Sequence, residues 1–129
     1  MSRVSEMEVR ELDKSLRVDG QDIVLRRLVG TTNQIAVDVR CRAFVRSIAA
    51  TVTTPAVIQA NMKIIMSPTE IINEQWPGGE PEVPPRLDDP RVPRRNDQVI
   101  VAGALANVMD CDPIYLANDL IRLELLVRG

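Results

Sequence analysis

From Gln34 to Arg46 the chain alternates strictly: Ile35, Val37, Val39, Cys41, Ala43 and Val45 take every second place, and Asp38, Arg40, Arg42 and Arg46 stand between them. A period of two places one set of side chains on each face of an extended strand, so this segment needs a core on one side and water on the other. A helix would scatter the same residues around its axis. Two further segments repeat the rule. Ile58 to Met66 sets Ile58, Ala60, Met62, Ile64 and Met66 against Gln59, Asn61 and Lys63. Leu120 to Arg128 sets Ile121, Leu123, Leu125 and Val127 against Arg122, Glu124 and Arg128.

Shorter apolar runs complete the set. Asp22 to Val29 is closed by Gly30, and Gln98 to Ala102 is followed by a bend at Gly103. Leu105 to Cys111 and Pro113 to Leu116 come next, with a turn at Ala117-Asn118-Asp119. Short strands divided by turn signals predict a mainly β fold, a small β-barrel or sandwich. The chain has 129 residues, which suits a single domain spanning 1–129.

Helical signals are few. In an N-terminal helical segment, 1–18, Val9, Leu12 and Leu16 lie three and four apart among charged residues, as on an amphipathic helix over Ser5 to Leu16. Asp19-Gly20 ends it. Ser67-Pro68-Thr69-Glu70 predicts one short internal helix, with Ser67 as cap, Pro68 at the first position and Glu70 reaching back to complete a capping box.

Residues 77–97 follow neither period. They carry Pro77, Pro81, Pro84, Pro85, Pro90 and Pro93, six of the nine prolines in the chain. Proline lacks the N–H that a helix interior or central strand requires. This long Pro-rich loop, with Glu80, Glu82, Asp88, Asp89 and Asp97 against Arg86, Arg91, Arg94 and Arg95, predicts an extended surface arm. On that reading, deleting Glu80 to Arg95 leaves the monomer folded.

The chain contains no histidine, which removes the commonest general base and metal ligand. Cys41 and Cys111 cannot make a zinc site alone and read as small buried hydrophobes, with a disulfide left open. The carboxylate pairs Asp88-Asp89 and Asp110 with Asp112 sit beside proline and read as turn residues. No phosphate-cradling glycine motif occurs. The expectation is a protein that is not an enzyme and uses no cofactor or metal. Charged residues interrupt the N-terminal segment, so no signal peptide is expected, and no apolar stretch is long enough to span a bilayer.

A net charge of −2 speaks against wholesale polyanion binding. The best basic patch is the stripe Arg40, Arg42 and Arg46, with Phe44 as the only aromatic residue on that face. A single-stranded nucleic-acid-binding barrel is therefore the alternative function, because such barrels stack bases on rings inside a basic groove. A solvated face, or one paired with acidic residues of a neighbour, is the favoured reading of the stripe.

Four blocks carry a family resemblance. They are Asp19-Gly20-Gln21-Asp22-Ile23-Val24-Leu25-Arg26-Arg27 with Gly30-Thr31; Val39-Arg40-Cys41-Arg42-Ala43-Phe44-Val45-Arg46; Ser67-Pro68-Thr69-Glu70-Ile71 with Trp76-Pro77; and Leu120 to Gly129. Together they resemble the head-closure (stopper, head-tail joining) proteins of the tailed-bacteriophage neck, found also in prophages and gene transfer agents. The resemblance implies a β-barrel virion protein assembled in the bacterial host cytoplasm. It would form a homo-oligomeric ring of six or twelve copies, with portal or adaptor proteins above and tail terminator or tail tube proteins below. It would lie close to packaged double-stranded DNA, with no membrane partner. Another neck component, an adaptor or tail terminator, is the nearest variant.

A ring needs two different patches that meet between copies. The candidate interface residues are Arg40, Arg42, Arg46, Trp76, Arg86, Asp88, Asp89, Arg91, Arg94, Arg95 and Arg128.

Overall fold

A computed structural model describes residues 2–54, 57–78 and 90–129, with side chains described outside 48–60. Helix α1 spans Arg3–Asp19, and the strands are β1 (Gln21–Val29), β2 (Ile35–Thr54), β3 (Val57–Met66), β4 (Gln98–Val101), β5 (Ala104–Leu116) and β6 (Asp119–Arg128). A short helix, α2 (Thr69–Asn73), follows β3. The six strands close into an antiparallel barrel in the order β1-β2-β3-β6-β5-β4, with β4 returning to β1. Of the two architectures the sequence allows, the barrel is the one formed.

Period two sets the interior. Ile23 and Leu25 of β1, Val39, Cys41 and Ala43 of β2, and Ile64 and Met66 of β3 point inward and are buried. Val99 and Val101, Ala106 and Val108, then Leu123, Leu125 and Val127 complete the ring from β4, β5 and β6. A barrel this small is filled by its own side chains and leaves no bore. Full burial of each such aliphatic side chain stabilises the fold by about 1.5–3 kcal/mol.

Two tight hairpins fix the register of the C-terminal half. Ala102 and Gly103 between β4 and β5 have φ of 51° and 81°, and Ala117 and Asn118 between β5 and β6 have φ of 50° and 66°. Paired positive φ values are the signature of the two-residue turn whose twist matches antiparallel strands. β5 runs unbroken through Pro113, with a register shift between Val108 and Asp110. Asp110 and Asp112 therefore lie in a strand, and their reading as turn residues is corrected. The shift at Met109 lets both aspartates share the outer face.

β2 outruns its neighbours. It pairs with β1 over Ile35–Ala43 and with β3 from Ala43 to Thr54. Its edge above Ala43 on the β3 side is covered by the segment after β3. Trp76 Nε1 donates to the Val37 carbonyl at 2.8 Å, and the Arg42 N–H donates to Glu70 Oε1 at 3.4 Å. Glu70 is thus drawn to the strand edge, and the predicted capping box does not close. Ser67 Oγ does accept from the Thr69 N–H, at 3.2 Å.

α1 is tied down at both ends and in the middle. Ser2 caps it, accepting the Ser5 N–H at 3.1 Å, and Ser5 Oγ donates to the Leu116 carbonyl at 2.8 Å. Asp13 accepts from the hydroxyls of Ser67 and Thr69, joining the helix to the start of α2. The C-terminus is held by Arg42, whose guanidinium donates to the carbonyls of Leu16, Arg17 and Gly20 at 3.2, 3.1 and 2.7 Å. The Leu16 carbonyl also accepts the Gly20 N–H at 2.9 Å, and a cation on the carbonyls of a helix end is favourable twice over, as hydrogen bonds and against the helix dipole.

The predicted arm, 77–97, is corrected in its last third. Arg91, Val92, Pro93 and Asp97 are buried, and Val92 belongs to the core. The rest of the expectation, residues 79–89, lies outside the described residues. Because Val92 packs inside, removal of Glu80 to Arg95 is now expected to disturb the barrel.

Candidate interaction surface

β1 places Ile23, Leu25 and then Arg27 on its inward face, and Arg27 is only 5% exposed. Its guanidinium makes a two-point pair with Asp97, Nε to Oδ1 at 2.9 Å and Nη2 to Oδ2 at 2.8 Å. The remaining donors reach the carbonyls of Pro90 at 2.7 Å and Val92 at 3.2 Å, and the group lies 4.6 Å from the Trp76 ring centroid. Asp97 Oδ2 also accepts the Arg94 N–H at 2.9 Å. This cluster fastens residues 90–97 and Trp76 onto the barrel. A planar five-donor group suits the task, since it satisfies a carboxylate and two carbonyls while its face rests on an aromatic ring.

Just outside this latch the surface turns basic and apolar. Leu28, Gln34, Arg94, Arg95 and Asn96 border an open cavity of about 350 Å³, with Arg27 and Asp97 as its inner wall. Arg94 and Arg95 are exposed. Beside them the β1–β2 hairpin presents Leu28, Val29 and Ile35, of which Ile35 is 70% exposed and pairs directly with Val29.

The outer faces of β3, β5 and β6 carry charges of both signs, with Asp110, Asp112 and Glu124 beside Lys63, Arg122 and Arg128. Lys63, Asp110, Asp112 and Glu124 surround a shallow depression of about 190 Å³ floored by the exposed Leu126, while the Leu125 side chain points into the core. Asp112 and Glu124 are directly opposite one another across β5 and β6. Lys63 Nζ lies 2.8 Å from Glu124 Oε1 and holds that carboxyl below the usual range. The two aspartates are exposed and help push the neighbouring Cys111 thiol up to about 12, chiefly a consequence of burial.

The predicted interface residues separate into groups. Arg40 and Arg46 are exposed on the outer face of β2, as expected. Arg42 stands between them but is turned to the end of α1 and to Asp22 Oδ1 at 3.3 Å, so the stripe does not act as one patch. Trp76 and Arg91 are buried, at 2% and 6% exposure, and serve this chain's own packing instead of its outer surface. Arg128 is half-buried, its Nε 3.5 Å from Asn61 Oδ1. Arg86, Asp88 and Asp89 lie outside the described residues. Cys41 and Cys111 are both free thiols, which settles the open question of a disulfide.

Sequence reasoning missed Arg27, Asp13 and the carboxylates of β5 and β6 as a group. Arg27 had a signal: it falls in the inward register of Ile23 and Leu25, where a charge demands a buried partner.

Among the described residues no group of acidic, cysteine or histidine side chains could hold a metal ion, and no helix is long and apolar enough to cross a membrane. No protein-family model matches the chain, and no curated protein does either.

Proposed function

We propose that this protein is a structural connector of the tailed-phage neck, closing the head after DNA packaging and joining portal or adaptor to tail as an oligomeric ring. Its role is mechanical, with no reaction catalysed. The resemblance of four sequence blocks spread from Asp19 to Gly129 supports the reading. So does the barrel interior, filled by apolar side chains and sealed at one end by the Arg27–Asp97 latch.

The observation that carries most weight is the β2–β3 hairpin. Pairing of β3 with β6 ends at Asn61 and Arg128, yet β2 and β3 stay paired to Thr54 and Val57. These strands run on past the barrel wall, and among the described residues nothing pairs with their outer edges. Open strand edges invite pairing with another chain, which suits a connector.

The test is removal of the gene from the phage or prophage that encodes it. Expected are filled heads that lose their DNA and free tails that do not attach, with joining restored when the protein is supplied in trans. Full-titre infectious particles without the protein would overturn the proposal.

A further inference from the structure

We infer that the outward face of α1 pairs with the same face of a second copy of this chain, antiparallel and about a two-fold axis. The helix carries two different stripes. Ser5, Val9, Leu12 and Leu16 turn to the barrel, with Ser5 and Leu16 buried and Val9 and Leu12 half-buried. Val4, Met7, Glu11, Lys14 and Val18 follow one another at steps of three and four residues, so they form a second stripe on the far side. All five are exposed, Val4 and Met7 at 58% and Val18 at 74%. α1 presents this stripe firmly, since Ser5, Asp13 and the contacts of Arg42 hold its other side to the barrel.

The order of residues in the stripe selects the occupant. Laid antiparallel on itself, with the centre between Glu11 and Lys14, the stripe sets Glu11 against Lys14 of the second copy and Lys14 against its Glu11. Met7 then meets Val18 of the second copy and Val18 meets its Met7, with Val4 closing the apolar layer at each end. One register therefore satisfies both charge pairs and both apolar pairs, the self-complementarity that an isologous contact requires. A parallel pairing in register sets Glu11 on Glu11 and Lys14 on Lys14, and charges at such seam positions fix the orientation of paired helices. The same two charges disfavour a lipid surface, because a membrane-seeking helix keeps charge off its apolar face. Arg10 and Arg17 flank the stripe on one side and approach their counterparts in the pair. Glu6 and Asp13 stand four places before them and offset that charge. A helix of 17 residues is about 25 Å long, so the contact belongs with the small, transient interfaces below about 1,200 Å². A two-fold pair is complete at two copies and does not extend round a ring, so it concerns the free protein and rests on no part of the connector reading.

The test is charge exchange, read by sedimentation velocity and native mass spectrometry at high protein concentration. Wild-type protein is expected to form a dimer. Glu11→Lys alone sets lysine against lysine, and Lys14→Glu alone sets glutamate against glutamate. Each is expected to weaken dimerisation roughly tenfold. The two variants mixed are expected to give a one-to-one mixed dimer, and Glu11→Lys with Lys14→Glu in one chain is expected to dimerise like the wild type. All remain helical by circular dichroism, since the changed side chains are exposed. Wild-type protein that stays monomeric, or that associates only into larger rings, would overturn the inference. So would single variants that dimerise as the wild type does, or a double exchange that fails to recover. None of these outcomes touches the connector reading, which is tested by removal of the gene.

Discussion

Arg27 shows how one buried charge is made tolerable. Its position in β1 places it inward beside the core, and the guanidinium is satisfied by Asp97, two carbonyls and an aromatic face. Removing one partner of a buried ion pair leaves the other uncompensated, a loss of about 3–5 kcal/mol. Asp97→Ala should therefore lower unfolding free energy by about that amount in urea titration, with residues 90–97 losing protection from hydrogen exchange. Arg26, its neighbour in sequence, faces outward and pairs with Asp38 at 2.8 Å in water, where such a pair contributes little. Alternation alone separates the two arginines. The latch was nonetheless illegible in advance, because the partner lies seventy positions away inside a Pro-rich run that shows no period.

Glu70 supplies a pH prediction at the same scale. Burial pushes its carboxyl up, and its Oε2 has no hydrogen-bond partner among the described residues. A raised value in the folded state means that the fold takes up this proton before the unfolded chain does. Stability contributed by the protonated group is then lost as pH rises through the folded value. Glu70→Gln should raise stability near neutral pH and change little in acid below the ordinary carboxylate range, measured by denaturant titration at both. The cysteines give a simpler check. Burial raises both thiols, so little reactive thiolate exists at neutral pH. A thiol reagent should react with neither until the protein is unfolded.

Among the elements, α1 depends on a residue of another element for its end. Arg42 binds carbonyls of Leu16, Arg17 and Gly20, and Gly20 itself packs so closely that an added Cβ would lie 2.4 Å from the Leu16 oxygen. Arg42→Met should fray the last turn of α1, costing about 1 kcal/mol and accelerating amide exchange there without disturbing the barrel. Gly20→Ala should cost more, because backbone has to move. The helix itself was legible from Val9, Leu12 and Leu16, and the strands from their alternation. The role of Arg42 was not, since its place in the stripe Arg40, Arg42, Arg46 has the same local pattern whether the side chain meets solvent, nucleic acid or a helix end. Ser67 and Glu70 illustrate the converse. Their spacing spells a capping box, but the unpaired Arg42 N–H on the β2 edge competes for the carboxylate and takes it.

For the molecule as a whole, strand number and closure came from pairing partners that no local pattern contains. β4 joining β1 turns an open sheet into a barrel, and a segment read as an arm returns to fill its end with Val92. Deleting Glu80 to Arg95 removes both Val92 and the carbonyls that hold Arg27, so the truncated protein should show a lower melting temperature and weakened near-ultraviolet circular dichroism. The surfaces left over are a hairpin that outruns the wall, a basic apolar tip and a depression of mixed charge on β5 and β6. All of them suit contacts with further protein.

Cryo-electron microscopy of intact particles tests that account most directly. A ring of this chain is expected in the neck, between portal complex and tail. Intact, DNA-filled and tailed particles with no density for this chain in the neck would contradict it.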